Sequence, residues 1–113
     1  MRIVAAPISL GEVAALAETG FGDMVKAVVD VTRGIMAIDG ELHSDEEALL
    51  LENGSAQADL WGINLYPALP WAELIEFDAL INIRPSQGNR SRGVDDPHLR
   101  ERITAVVESL ILP

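Results

Sequence analysis

The chain contains no cysteine. That excludes disulfides, thiolate metal centres and thiol catalysis, and it suits a reducing compartment. Aromatic residues make up only 4%, so aliphatic Val, Ile, Leu and Ala must fill most of a core. No apolar run approaches the roughly 20 residues that span a membrane. Residues 1–10, MRIVAAPISL, read as a strand and a helix start rather than as an export signal. The expected setting is cytoplasmic, with no membrane partner. There are two histidines, His43 and His98, which narrows both acid–base and metal chemistry.

Positive charge is the other shortage. Residues 1–83 hold 3 Lys or Arg against 14 Asp or Glu, a balance of −11, whereas residues 84–113 hold 5 and 4, a balance of +1. A body this acidic repels phosphate backbones, so non-specific nucleic-acid binding is not expected. Against that background, Arg84, Arg90 and Arg92 stand out as three cations within nine residues with no acid among them.

What remains is an aliphatic chain, 49% apolar over 113 residues, long enough for one domain over 1–113 and for a core without staples. Arg2–Ala5 reads as a first strand ended by Pro7. Ser9 and Glu12 form a capping box for a helix over about Leu10–Thr19, with Gly20 in the left-handed position past its end. MVKAVVDV (24–31) places Val25, Ala27, Val29 and Val31 on one strand face. Thr32-Arg33-Gly34 turns the chain into Ile35–Ile38 as a bulged three-residue hairpin, with Gly34 at positive φ. SDEE (44–47) is a second capping box, opening a helix that Asn53-Gly54 closes; a buried strand over Ala48–Leu51 is the alternative. Leu60–Tyr66 reads as a strand. Leu74–Arg84 is the longest strand expected, with Ile75, Phe77, Ala79, Ile81 and Ile83 on one face and Glu76, Asp78, Leu80, Asn82 and Arg84 on the other. Asp96 and Pro97 open a last helix whose stripe is Leu99, Ile103, Val106 and Leu110. The expected class is α+β: a small antiparallel or mixed sheet of about five strands, with two to three helices packed mainly on one face.

Two segments carry candidate chemistry. INIRPSQGNRSR (81–92) offers Asn82, Arg84, Ser86, Gln87, Asn89, Arg90 and Arg92, the amide, hydroxyl and forked guanidinium donors that an oxyanion needs. Its glycine spacing matches neither a P-loop nor a dinucleotide fingerprint. The competing explanation is that these side chains anchor the loop to the acidic body. In the second segment, His43 stands beside Glu41, Asp45 and Glu47 as an acid–base candidate. Helix capping already accounts for Ser44, Asp45 and Glu47, so no metal ligation and no cofactor are expected. Ser86 and Ser91 lack a nucleophile elbow. Trp61 reads as core and Trp71 as an edge cap.

FGDMVKAVVDV (21–31), GELHSDEEALL (40–50), LWGINLYP (60–67) and INIRPSQGNRSRGVDD (81–96) together resemble a family of short, uncharacterised bacterial proteins classed as a domain of unknown function. The resemblance implies a stand-alone domain and carries no activity, cofactor or catalytic residue. From the residues, three functions remain open. The first is a binding domain for a small anionic ligand at 82–92. The second is a small enzyme using His43 with Glu41, Asp45 or Glu47. The third is a structural protein that associates with copies of itself.

Overall fold

The computed structural model describes residues 1–113. In chain order it contains β1 (Arg2–Val4), β2 (Ile8–Ser9), α1 (Leu10–Thr19), β3 (Val25–Asp30), β4 (Ile35–Ile38), α2 (His43–Glu52), β5 (Leu60–Leu65), β6 (Ile75–Glu76), α3 (Pro97–Leu110) and β7 (Ile111–Leu112). Five strands form one antiparallel sheet in the order β1-β4-β3-β5-β6, and β2 pairs in parallel with β7. The class is α+β, as expected. No helix is long and apolar enough to cross a membrane.

Alternation along the strands divides the molecule. Val25, Ala27 and Val29 of β3, Met36 and Ile38 of β4, and Trp61, Ile63 and Leu65 of β5 point to one face. There they meet Val13 and Ala17 of α1 and Ile103, Val107 and Leu110 of α3. Val28, Ala37 and Leu60 point to the other face, where Leu50 of α2 covers them. The central strand β3 is therefore buried on both faces. α2 covers only part of its face and leaves the ends of β3, β5 and β6 beside its first turn uncovered.

Local signals were followed unevenly. α1 has the expected limits, and Ser9 Oγ accepts from the Glu12 amide at 3.1 Å. The Glu12 carboxylate, however, pairs with Arg2 instead of completing the capping box. Gly20 is not left-handed (φ −105°); its amide returns to Leu16 and Ala17, and the positive φ falls at Gly22 (101°). Gly34 has its positive φ (68°), but the hairpin pairs Asp30 with Ile35 and so has four loop residues, not three. The Asp30 carboxylate explains the extra residue, because it accepts from the Thr32 and Arg33 amides at 2.9 Å each.

Residues 43–52 are helical, closed at Asn53 with Gly54 at φ 96°. The SDEE capping box does not form: the N-cap is Leu42, whose carbonyl accepts from Asp45 and Glu46, and Ser44 lies inside the first turn. In α3, Asp96 caps His98 at 2.9 Å, and the fully buried stripe is Ile103, Val107 and Leu110, with Val106 only half-buried.

The largest departure is at 74–84. Only Ile75 and Glu76 pair with β5, against Leu65 and Asn64. At Gly62, the next hydrogen-bonding position, the Asn82 carboxamide takes the place of a strand backbone. It accepts from Gly62 N at 2.8 Å and donates to Gly62 O at 2.9 Å. The chain between Glu76 and Asn82 bows away and ends in a 3-10 turn over Leu80–Asn82. Gly62 permits this close approach, since a Cβ there would lie 2.5 Å from the Ala79 Cβ and 3.2 Å from both His43 Cδ2 and Ile81 Cγ1.

Candidate functional site

The bowed segment, the uncovered strand ends and the first turn of α2 enclose a cleft of about 520 Å³. Its floor follows from strand register. Lys26 of β3 stands opposite Asn64 of β5, which stands opposite Glu76 of β6. Directly paired residues share a sheet face, so an ammonium, an amide and a carboxylate form one row across three strands, about 4.8 Å apart from strand to strand. Met24 and Tyr66 extend the floor, Leu42, His43 and Ser44 form one wall, and Asp78, Leu80, Ile81 and Arg92 form the other.

His43 opens α2 and lies over Gly62, with Nε2 2.9 Å from the Ile63 carbonyl oxygen. A carbonyl can only accept, so Nε2 carries the proton and Nδ1, which makes no hydrogen bond within the chain, is an acceptor. Burial holds the imidazole below its ordinary value, opposed by the Ile63 carbonyl; the Lys26 charge lowers it further, and Asn64 and Asp78 raise it weakly. The ring is therefore neutral at pH 7. Beside it, desolvation pushes the Tyr66 phenol up, and the carboxylates of Glu76, Asp23 and Asp78 push in the same direction.

The 82–92 segment uses most of its donors within the chain. Asn82 is fully buried, bridging Gly62 to the Arg92 carbonyl, and Asn89 Nδ2 donates to the carbonyls of Asn82, Ser91 and Gly93. The Arg84 guanidinium donates to the carbonyls of Ile81, Gln57 and Leu60 and stacks 4.4 Å from the Trp61 ring centroid. Its Nη2 lies 4.0 Å from Glu47 Oε2. Burial lowers the Arg84 pKa, and Glu47 partly restores it. Gln87 donates to the Ala58 carbonyl, and Ser91 and the Arg90 amide bind the Asp95 carboxylate, which these contacts hold below its ordinary value. Ser86 and the Arg90 side chain make no hydrogen bond within the chain. Arg92 Nε pairs with Asp78 at 2.7 Å, and of this group Arg92 alone reaches the cleft.

The carboxylates nearest His43 in sequence are not those that share its cleft. Glu41 offers its carbonyl to Lys26, Asp45 borders a different hollow beside Met1 and Glu52, and Glu47 faces Arg84. Glu76 and Asp78 share the cleft instead. No group of three or more His, Cys, Asp or Glu is placed to hold a metal ion. His98 is exposed, Trp61 is core and Trp71 lies at the surface. Sequence reasoning missed Lys26, Asn64 and Tyr66. A usable signal was Asn64, a polar residue in the otherwise apolar strand LWGINLY. Glu46 was also passed over. It is fully buried, with Oε2 accepting from the Gly40 amide at 3.0 Å and Oε1 unpartnered, and desolvation pushes its carboxyl up to about 8.

None of the curated proteins and none of the solved structures compared with this chain matches it. A protein family does match, over residues 2–110, nearly the whole chain and every element that builds the cleft. The chain belongs to that family, whose description is "Protein of unknown function (DUF5674)".

Proposed function

We propose that this chain is a small-ligand-binding domain whose site is the cleft between the first turn of α2 and the open ends of β3, β5 and β6. The observation that carries this reading is the Lys26–Asn64–Glu76 row beneath a neutral, oriented His43. Polar groups that converge on a concavity and keep free valences are the usual marks of a binding site. The loop contributes Arg92. An anion site on the loop itself would have to use Ser86, Arg90 and the free arm of Arg92, since Asn82, Arg84, Gln87 and Asn89 already donate to carbonyls of the chain.

A specific observation favours acid–base chemistry as the second reading. The Ile63 carbonyl fixes the His43 tautomer, which leaves Nδ1 as a base at neutral pH, with Glu76 and Asp78 in place of Glu41, Asp45 or Glu47. An NMR fragment screen on the ¹⁵N-labelled protein tests the binding reading. Hits are expected to shift the Lys26, Asn64 and Tyr66 amides. Hits that cluster on 84–91, or anywhere outside the cleft, would overturn it.

A further inference from the structure

Several acceptor atoms of the cleft make no hydrogen bond within the chain. Asn64 is 94% buried by its 6% exposure, and its Nδ2 donates to Glu76 Oε1 at 2.8 Å and to the Asp78 carbonyl at 3.1 Å. Both partners can only accept, so the amide cannot be turned round, and Oδ1 has to face away from them. That Oδ1 is sealed from solvent beside the His43 ring, where it favours the protonated imidazole. Glu76 Oε1 also takes the Tyr66 hydroxyl at 3.3 Å, while Oε2 takes nothing. Asp78 Oδ1 takes Arg92 and Oδ2 takes nothing. With His43 Nδ1, three residues lining one cleft each keep an acceptor atom unpaired.

Two of the donors nearby are partly engaged. The Lys26 ammonium donates to the Glu41 carbonyl and lies 5.0 Å over the Phe21 ring. Arg92 is held by Asp78. An anion placed here would face two carboxylates in a chain of net charge −10. The imidazole and the two carboxylates of the cleft are not placed close enough together to hold a metal ion. A group that carries its own positive charge and several N–H donors fits the unpaired atoms. Leu42 and Leu80, 54% and 66% exposed at the rim, give an aliphatic chain something to lie against.

Taking the cleft as the ligand site, as proposed above, we infer that it receives a small organic amine. An ammonium or guanidinium group donates to Glu76 Oε2 and Asp78 Oδ2, and the methylene chain lies against Leu42 and Leu80. Amines suit an acidic domain at long range as well, because the net charge draws cations in.

The test is a titration of the whole chain with butylamine, 1,4-diaminobutane and agmatine, set against acetate, phosphate and magnesium chloride at constant ionic strength. It is followed in ¹H–¹⁵N spectra. The amines should give saturable shifts of the Asn64 side-chain amide and of the Lys26 and Glu76 backbone amides. Glu76→Gln should weaken that binding by about 10-fold or more, while Glu108→Gln, on α3 outside the cleft, should not. Cleft shifts with acetate or phosphate but not with amines would overturn the amine assignment and leave the cleft as the site. Amine shifts that fall outside the cleft and ignore Glu76→Gln would overturn both. Magnesium reproducing the amine shifts would mean charge screening alone, and silence from every amine would also overturn the assignment; the fragment screen then judges the cleft on its own.

Discussion

The 82–92 loop and the α2-side cleft are built from similar side chains and treat them in opposite ways. In the loop, Asn82, Asn89 and Arg84 each make several hydrogen bonds, mostly to backbone carbonyls that have no strand partner. In the cleft, Asn64, Glu76 and Asp78 pair once or twice and then stop, each with an oxygen left over. A long irregular segment across a sheet edge exposes backbone groups that need partners, and polar side chains supply them. The cleft floor is regular strand, where backbone groups satisfy one another and side chains remain free. The same residue types are therefore architecture where the backbone is irregular and available chemistry where it is regular.

That contrast is tested most severely at Arg84. Arg84→Gln removes charged donors from three carbonyls and the stack on Trp61, and leaves Glu47 Oε2 facing no cation. Urea unfolding at pH 7 should show a loss of about 3–5 kcal/mol, the range for stranding one side of a buried charged contact. A loss below about 1 kcal/mol would make the loop's bonding incidental and return its arginines to the list of free donors.

Glu46 is a third case: its unpaired oxygen is sealed from solvent, as Asn64 Oδ1 is, but it belongs to a group that titrates. Its carboxyl has an ordinary value of 4.5 and stands at about 8 in the fold, chiefly through desolvation. Below pH 4.5 both folded and unfolded chains hold this proton. Between 4.5 and 8 the folded chain keeps the proton that the unfolded chain loses, so stability falls as pH rises through that window. Glu46→Gln keeps an acceptor for the Gly40 amide and has no proton to lose. The variant should match the wild type near pH 5 and exceed it by roughly 3–4 kcal/mol at pH 9. Parallel stability curves across that range would mean that Glu46 ionises freely and that its unpaired oxygen reaches solvent.

The elements that could be read from the sequence are those whose neighbours in the chain determine them. α1 has its limits written in Ser9 and the periodic Val13 and Ala17, and the β3–β4 hairpin in alternation and Gly34. The failures share a cause, which is a distant partner. Residues 74–84 alternate as a strand should, yet the Asn82 amide binds Gly62, 20 residues away, and the strand ends at Glu76. Ser44 has the composition of a cap, but the cap falls two residues earlier at Leu42, next to a sheet that accepts the His43 ring. In the site, His43 and Arg92 were visible as types, and their surroundings were not. Lys26, Asn64 and Glu76 lie 38 and 12 residues apart in the chain, and only register across three strands brings them into a row.

The smallest expected effect separates the two regions most cleanly. Glu76 is exposed on the edge strand, and Gln at that position keeps a carbonyl oxygen for the Asn64 amide and the Tyr66 hydroxyl. What Glu76→Gln removes is a negative charge that stands near Asp78 in a chain of net charge −10. If the cleft floor is available chemistry and not architecture, nothing in the fold depends on that charge. Stability should then change by no more than about 0.5 kcal/mol, with the sign toward stabilisation because repulsion is relieved. Chemical denaturation of wild type and variant at pH 7 measures this directly, with Arg84→Gln as the internal comparison. A loss above about 1 kcal/mol would place Glu76, Asn64 and Tyr66 in a structural network like that of the loop. The contrast between satisfied and available polarity would then fail at the residues on which the ligand reading depends.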